Sequence, residues 1–439
     1  MKDYKQLLED FVGIKSVSPD PNFKGEIHRA ADWLKTLFTD GGFDVEVWEM
    51  EKGNPIVFAN HIEDEGLETV LVYGHYDVMP AAKEDGWDTD PFQLVEKDGR
   101  LWGRGSVDNK GQVLIYIHTI IGLVASGKLG YNVKFMIEGG EEIGSPNIAQ
   151  VLEDKKHELE SDVILFSDGE MTADRPVIDA GCRGNMSFTV KYKTAKTNLH
   201  SGIYGGAIAN SANEICRLVS KFHDENGRVQ VSGFYDGVEE VTEDELEKIG
   251  NTDFDPDEIK KMTGVKKIFA ENGEEYYVKI GLQPMLTVTG INSGYTGEGY
   301  SNIIPSNAEV RCNVRMVESQ DPKKLAESIE KFVEKNTPDY IDWEFTFGSV
   351  CNPVKVDVDN QRVKDVTEIL EEVYSKKVIF KYCGGSLPIV DDFKRVLGLD
   401  AISVGLGNED CNMHGVNENF RSDLIEKGVL FVRRFFSKK

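Results

Sequence analysis

Short apolar runs recur through the first part of the chain at 55–59, 69–73, 133–137 and 163–166, each bounded by polar residues or glycine. Runs of this length suit strands buried on both faces, as in a parallel sheet. Between them, apolar residues recur at helical spacing over 3–12 and 26–38, and the stretches 111–126 and 146–153 also fit helices. The alternation predicts an α/β architecture: a mostly parallel sheet with helices on both faces, whose sites form at the carboxyl ends of strands.

The pattern changes after Gly184. Residues 187–193 and 308–317 alternate apolar and polar positions, as half-exposed strands do. Helical patterns cover 207–223 and 322–336, and the intervening stretch 224–298 is acidic and reads as loop-rich. From about residue 351 the buried texture returns, with a helix near 361–376, an apolar strand at 401–404 and a last helix near 423–436. One discontinuous catalytic domain (1–185 and 351–439) interrupted by a smaller α+β lid and dimerisation domain (186–350) is therefore expected.

Charge narrows the partners. Fifty Lys and Arg against 76 Asp and Glu give a net charge of −26, which disfavours nucleic acid and anionic membrane. The longest apolar run, 113–125, is interrupted by His118 and Thr119 and falls short of the ~18 residues that span a bilayer. The first residues, MKDYKQLLED, lack the pattern of a secretory signal. The six cysteines are widely spaced, so free thiols in the cytoplasm are expected.

Candidate chemistry gathers after the strand-like runs. In LVYGHYDVMP, His75 follows a strand and Asp77 shares its face, where a carboxylate can orient a ligating imidazole. GRGSVDNKGQ presents Asp108 among glycines just before a helix and does not match the GxxxxGK(S/T) pattern of a nucleotide-binding loop. In MIEGGEEIGS, Glu141 and Glu142 are adjacent at a strand end, an arrangement that a cation relieves. Such a pair also permits one carboxylate to ligate while its neighbour acts as general base. Asp168 ends the strand in ILFSDGE, and His414 follows the strand at 401–404 in NMHGVNENF. Two imidazoles and three carboxylates without cysteine suit zinc, with manganese or cobalt as substitutes. Five ligands suit two ions sharing one carboxylate better than one catalytic ion with an open position.

Taken in order, GHYDV, GWDTDPF, GRGSVDNKG, EGGEEIGS, SDG, NLHSGIYGG, GGSLP and MHG resemble the di-zinc exopeptidase and deacylase family of carnosinase-type dipeptidases, carboxypeptidase G, aminoacylase and succinyl-diaminopimelate desuccinylase. The resemblance spans nearly the whole chain. It implies that Asp108 bridges two Zn2+ per subunit, with His75 and Asp168 completing one site and Glu142 and His414 the other. It further implies that Glu141 is the general base acting on a water bridging the ions, that Asp77 orients His75, and that His200 stabilises the oxyanion. Arg315, Asn302, Gly385 and Ser386 match positions that contact substrate. The family often has a second aspartate after the bridge, where this chain has Asn109, and the bond between the two is usually cis.

Dipeptidases of the family tend to carry aspartate at the position of Asp168, and deacylases glutamate. The resemblance therefore implies a dipeptidase or related exopeptidase acting on small peptides, working as a homodimer through the lid. Two other readings remain open at this point: a deacylase of N-acyl amino acids, and an inactive relative that serves as a binding or scaffold protein.

Overall fold

The apolar runs come together in one sheet. The structure is a computed structural model that describes residues 2–250, 254–385 and 388–438. In chain order the first strands are β1 (Asp44–Trp48), β2 (Ile56–His61), β3 (Thr69–His75), β4 (Asn132–Glu138), β5 (Val163–Phe166) and β6 (Val177–Cys182). The chain then leaves for a second sheet of β7 (Gly184–Lys193), β8 (Met285–Ser293), β9 (Asn307–Met316) and β10 (Asp342–Cys351). It returns to the first with β11 (Val354–Lys355), β12 (Ile379–Cys383) and β13 (Ala401–Gly405).

Among the described residues the large sheet has nine strands, in the order β1-β2-β4-β3-β5-β13-β6-β11, with β12 paired to β6. The central strands β4, β3, β5 and β13 run parallel, as the continuous apolar runs require. Antiparallel pairings flank them. Alternation along each strand feeds two cores. Val72 and Leu165 face a core with Ile117 and Phe431, while Leu71 and Ile164 face one with Phe166 and Phe393.

The helices that cover this sheet include α1 (Tyr4–Val12), α2 (Lys24–Asp40), α3 (Lys110–Ser126) and α4 (Ile148–Asp154). Helix α3 is apolar on nearly all sides because it is enclosed between the sheet and other helices. In the antiparallel second sheet, β7 and β9 alternate buried and more exposed positions. Helices α5 (Ser211–Val219) and α6 (Pro322–Asn336) close its buried face, where Phe188, Val190, Ile215, Leu218, Ile329 and Val333 share a core. Helices α7 (Gln361–Tyr374) and α8 (Ser422–Phe436) complete the large-sheet layers.

Two expectations differ in detail. The helix read over 207–223 is shorter, because the Asn210 side chain caps it by accepting from the Ala212 and Asn213 amides. The stretch 224–298, read as loop-rich, contains helices at Glu243–Gly250, Pro256–Thr263 and Gly273–Tyr277 and the whole of the edge strand β8. No helix among the described residues is long and apolar enough to cross a membrane.

Both crossings between the sheets lie side by side. Val354 pairs with Cys182 and Cys351 with Asn185. Gly184 fits there because a Cβ at this position would lie 2.7 Å from the Pro353 nitrogen.

Candidate metal centre

Parallel strands aim their carboxyl ends at one pole of the large sheet. Strand β3 ends in His75, and β4 leads into the single turn Glu141–Ile143. Asp168 lies two residues beyond β5, His414 lies in the loop after β13, and Asp108 lies in the turn that opens α3. Close approach of that turn to β3 requires Gly74, where a Cβ would meet the Val113 side chain at 2.6 Å.

The five candidate ligands meet as two overlapping groups. One oxygen or nitrogen from each of His75, Asp108 and Asp168 lies within 4.8 Å of the others, and the same holds for Asp108, Glu142 and His414. His75 Nε2 is 3.2 Å from Asp108 Oδ1 and 3.6 Å from Asp168 Oδ2. His414 Nε2 is 2.9 Å from Asp108 Oδ2 and 3.0 Å from Glu142 Oε2. The two oxygens of Asp108 thus face different groups.

Asp77 has more work than its spacing suggested. Its backbone carbonyl lies 3.0 Å from His75 Nδ1 and its carboxylate 3.3 Å away. The same carboxylate accepts the backbone N–H groups of Glu141 and Glu142 at 3.2 and 3.1 Å. It therefore fixes the imidazole and the acidic turn together. Asn109 donates to Asp168 Oδ1 at 2.9 Å and to the Ser167 carbonyl at 2.6 Å, which gives its amide a use at this position. The Asp108–Asn109 peptide bond is cis.

Electrostatics show what the pole lacks. His75 is fully buried, and its Nε2 has no hydrogen-bond partner of adequate geometry. Burial alone would lower this imidazole, yet the carboxylates of Asp168, Asp108 and Asp77 outweigh it and raise its pKa well above the ordinary value. Hydrogen bonds to Asp108 and Glu142 push His414 up to about 10. Burial would raise Asp108, but His414 and His75 hold it below the usual carboxylate range. Glu141 is pushed up to about 8, first by burial and then by Asp168, Asp77 and Glu138, against the opposing pull of His75. Carboxylates this crowded demand positive charge at the two imidazoles, and a cation supplies it as a proton does. The orphaned Nε2 of His75, aimed at two carboxylates, fits an ion-binding role.

The remaining candidate residues do not join these groups. His200 pairs with Ile303 across two short strands, and Ser201 donates its N–H to the Asn302 carbonyl at 2.9 Å. His200 and Asn302 are exposed, and no hydrogen bond or ion pair among the described residues ties either side chain to the pole. Arg315 is half-buried on β9, with its positive charge felt at Arg183. Arg183 escaped the sequence reading. Its guanidinium donates to the carbonyls of Gly384 and Gln283 at 3.3 and 3.1 Å, which ties the loop bearing Gly385 to the crossing between the sheets. The glycine after it was the only local signal. Gly385 donates its N–H to the Cys383 sulfur at 3.3 Å, and Ser386 lies outside the described residues.

Residues 71–438 match the peptidase family M20/M25/M40. The chain is 30% identical to the human (Homo sapiens) Beta-Ala-His dipeptidase over 455 residues, covering 99% of this chain and 89% of that protein. It is 29% identical to the Cys-Gly metallodipeptidase DUG1 of Candida albicans, covering 94% of this chain and 90% of that protein. Among solved structures, an M20 family metallo-carboxypeptidase, Sso-CP2 from Sulfolobus solfataricus, superposes with a TM-score of 0.87 at 29% identity, over 99% of this chain and 98% of that one.

Proposed function

The chain belongs to the peptidase family M20/M25/M40, and from that premise we propose that it hydrolyses the peptide bond of dipeptides and short peptides with two divalent cations held at the pole of the large sheet. The observation that carries this reading is the pair of three-residue groups sharing Asp108, with Glu141 beside them. His75, Asp108 and Asp168 would hold one ion and Asp108, Glu142 and His414 the other. Two imidazoles set among carboxylates support zinc, with manganese or cobalt as substitutes. Bound there, the cations supply Lewis acidity at the scissile carbonyl and bring the pKa of a water down toward ~7.

The chain's own residues do the rest. Glu141 takes the proton from the attacking water and delivers it to the leaving amine; a carboxyl raised by burial is suited to both steps. Asp77 keeps the His75 ring and the Glu141 amide in fixed relation. His200 donates a hydrogen bond to the developing oxyanion. Arg315 grips the C-terminal carboxylate as a fork, and Asn302, Gly385 and Ser386 are further candidates for substrate contact. Likeness to two dipeptidases and a carboxypeptidase supports a site that reads this carboxylate.

The proposed division is a catalytic domain of 1–185 and 351–439 and a lid of 186–350. Separate cores and the paired crossings at Cys182–Gly184 and Cys351–Val354 support it. We further propose a cytoplasmic homodimer in which the lid of one subunit serves the pole of the other. The exposed side chains of Ile203, Tyr204, Tyr295 and Tyr300, near His200 in sequence or on the same part of the lid, support such a contact.

The test is hydrolysis of a dipeptide library by zinc-loaded protein, beside N-acetyl amino acids and dipeptide amides, with a chelator control. Cleavage of free dipeptides that the chelator abolishes is expected. Preference for N-acetyl amino acids would replace the peptidase with a deacylase.

A further inference from the structure

Arg104 and Glu418 form an ion pair at 2.7 Å, with relative exposures of 2% and 0%. A buried pair of this kind is weak evidence of stabilisation, since desolvation offsets much of the attraction. Its remaining hydrogen bonds have a narrower distribution than a general structural role requires. Glu418 Oε1 accepts the backbone N–H groups of Val107 and Asp108 at 3.0 and 3.1 Å, and Oε2 accepts that of Gly105 at 3.1 Å. Arg104 donates through Nη2 to the carbonyls of His414 and Gly415 at 3.1 and 3.0 Å. One side chain therefore holds the backbone of Asp108, and the other holds the backbone of His414.

Both backbones need holding. His414 has φ of +60°, and Asn412 and Asn417 in the same loop have φ of +56° and +57°. Residues other than glycine adopt this region infrequently, asparagine and histidine more readily than most, so contacts that hold the loop there fix where His414 sits. The Asp108 turn has no strand ladder of its own, and the hydrogen bond from its N–H to Glu418 stands in for one.

We propose that Arg104 and Glu418 are positioning residues for the ion-holding cluster, with Glu418 setting Asp108, and hence both groups, and Arg104 setting His414, and hence one group. The inference rests on the two-ion reading above. It gives the pair an asymmetric role: Arg104 donates directly to the His414 and Gly415 carbonyls and meets Asp108 only by way of Glu418, whereas Glu418 binds the backbone of the residue that both groups share. Because the two charges cancel, the brace fixes geometry without adding net charge behind the ions.

The experiment is equilibrium titration of metal-free protein with cobalt(II), followed by visible absorption, with thermal unfolding of each metal-free variant measured alongside. Unaltered protein is expected to take up two equivalents. Arg104→Met is expected to bind one equivalent normally and the other about 10–100-fold more weakly, the usual cost of losing a partner behind a ligand. Arg104→Lys, which keeps the charge and loses the planar fork, should recover part of that loss. Glu418→Gln sets amide hydrogens against the Gly105 amide or the guanidinium and should weaken both equivalents. If Arg104→Met fails to fold, Arg104→Lys and Glu418→Gln still carry the contrast. An Arg104→Met protein that binds both equivalents like the unaltered protein or weakens both equally, or a Glu418→Gln protein that binds both normally, would overturn the inference and leave the two-ion reading intact. Fewer than two equivalents in the unaltered protein would remove the two-ion reading, and the inference with it.

Discussion

The pole of the large sheet and the lid contribute to the proposed reaction in different ways. At the pole, His75, Asp77 and Asp108 are buried, and contacts among them, the Glu141 turn and Glu418 fix each of them. On the lid, His200 and Asn302 are exposed and their contacts are local. The pole is preorganised before substrate arrives, as ion-binding sites must be. In the proposed mechanism the lid groups act only when closure or a second subunit brings them to the pole. Variants at the pole should therefore alter ion binding or proton transfer within one chain, and variants on the lid should alter turnover with the ions still in place.

The largest effect is expected at the shared residue. Asp108→Ala should lose both ions by elemental analysis and have turnover below detection; retention of two ions would separate Asp108 from the cluster. Glu141→Ala should keep its ions and lose about 10²–10⁴-fold in kcat, the contribution of a general base. Normal turnover in that variant would remove Glu141 from the mechanism. His200→Ala should lower kcat by about 10²–10³-fold, the scale of one oxyanion donor, with ion content unchanged. Mixing the inactive His200→Ala and Glu141→Ala proteins under subunit exchange should restore activity if the lid serves its partner, and should restore none if it closes on its own chain.

The mildest effect is expected with pH. His414, raised to about 10, is protonated near neutral pH in chelated protein, so uptake of ions must release a proton. Ion affinity should rise with pH up to that value, and calorimetry in buffers of different ionisation enthalpy measures the released protons. Because the folded value exceeds the ordinary imidazole value of ~6.5, the charge on His414 stabilises chelated protein below that pH. That contribution is lost as pH rises through about 10.

The comparison also explains what was legible in the sequence. The central strands announce themselves because burial on both faces demands continuous apolar residues, and the ligands follow because parallel strands end together. Strand β1, with the sequence DVEVW, has only its last residue buried, so its pattern is weak. Strand β8 runs along the edge of the lid sheet and carries threonines, glycine and asparagine. Strand β12 gains its place by pairing with β6, far earlier in the chain, which no local pattern encodes. Within the site, residue types and order pointed to the ligands and to Asp77. They were silent on Glu418, whose partner Arg104 lies 314 positions away. They also did not show that the carboxylate of Asp77 would take up two amides of the Glu141 turn.

The most direct measurement is anomalous diffraction from crystals of zinc-loaded protein, collected on either side of the zinc absorption edge. Two peaks about 3.5–4 Å apart, both in contact with Asp108, are expected. A single ion, or two ions that do not share Asp108, would contradict the two-ion site.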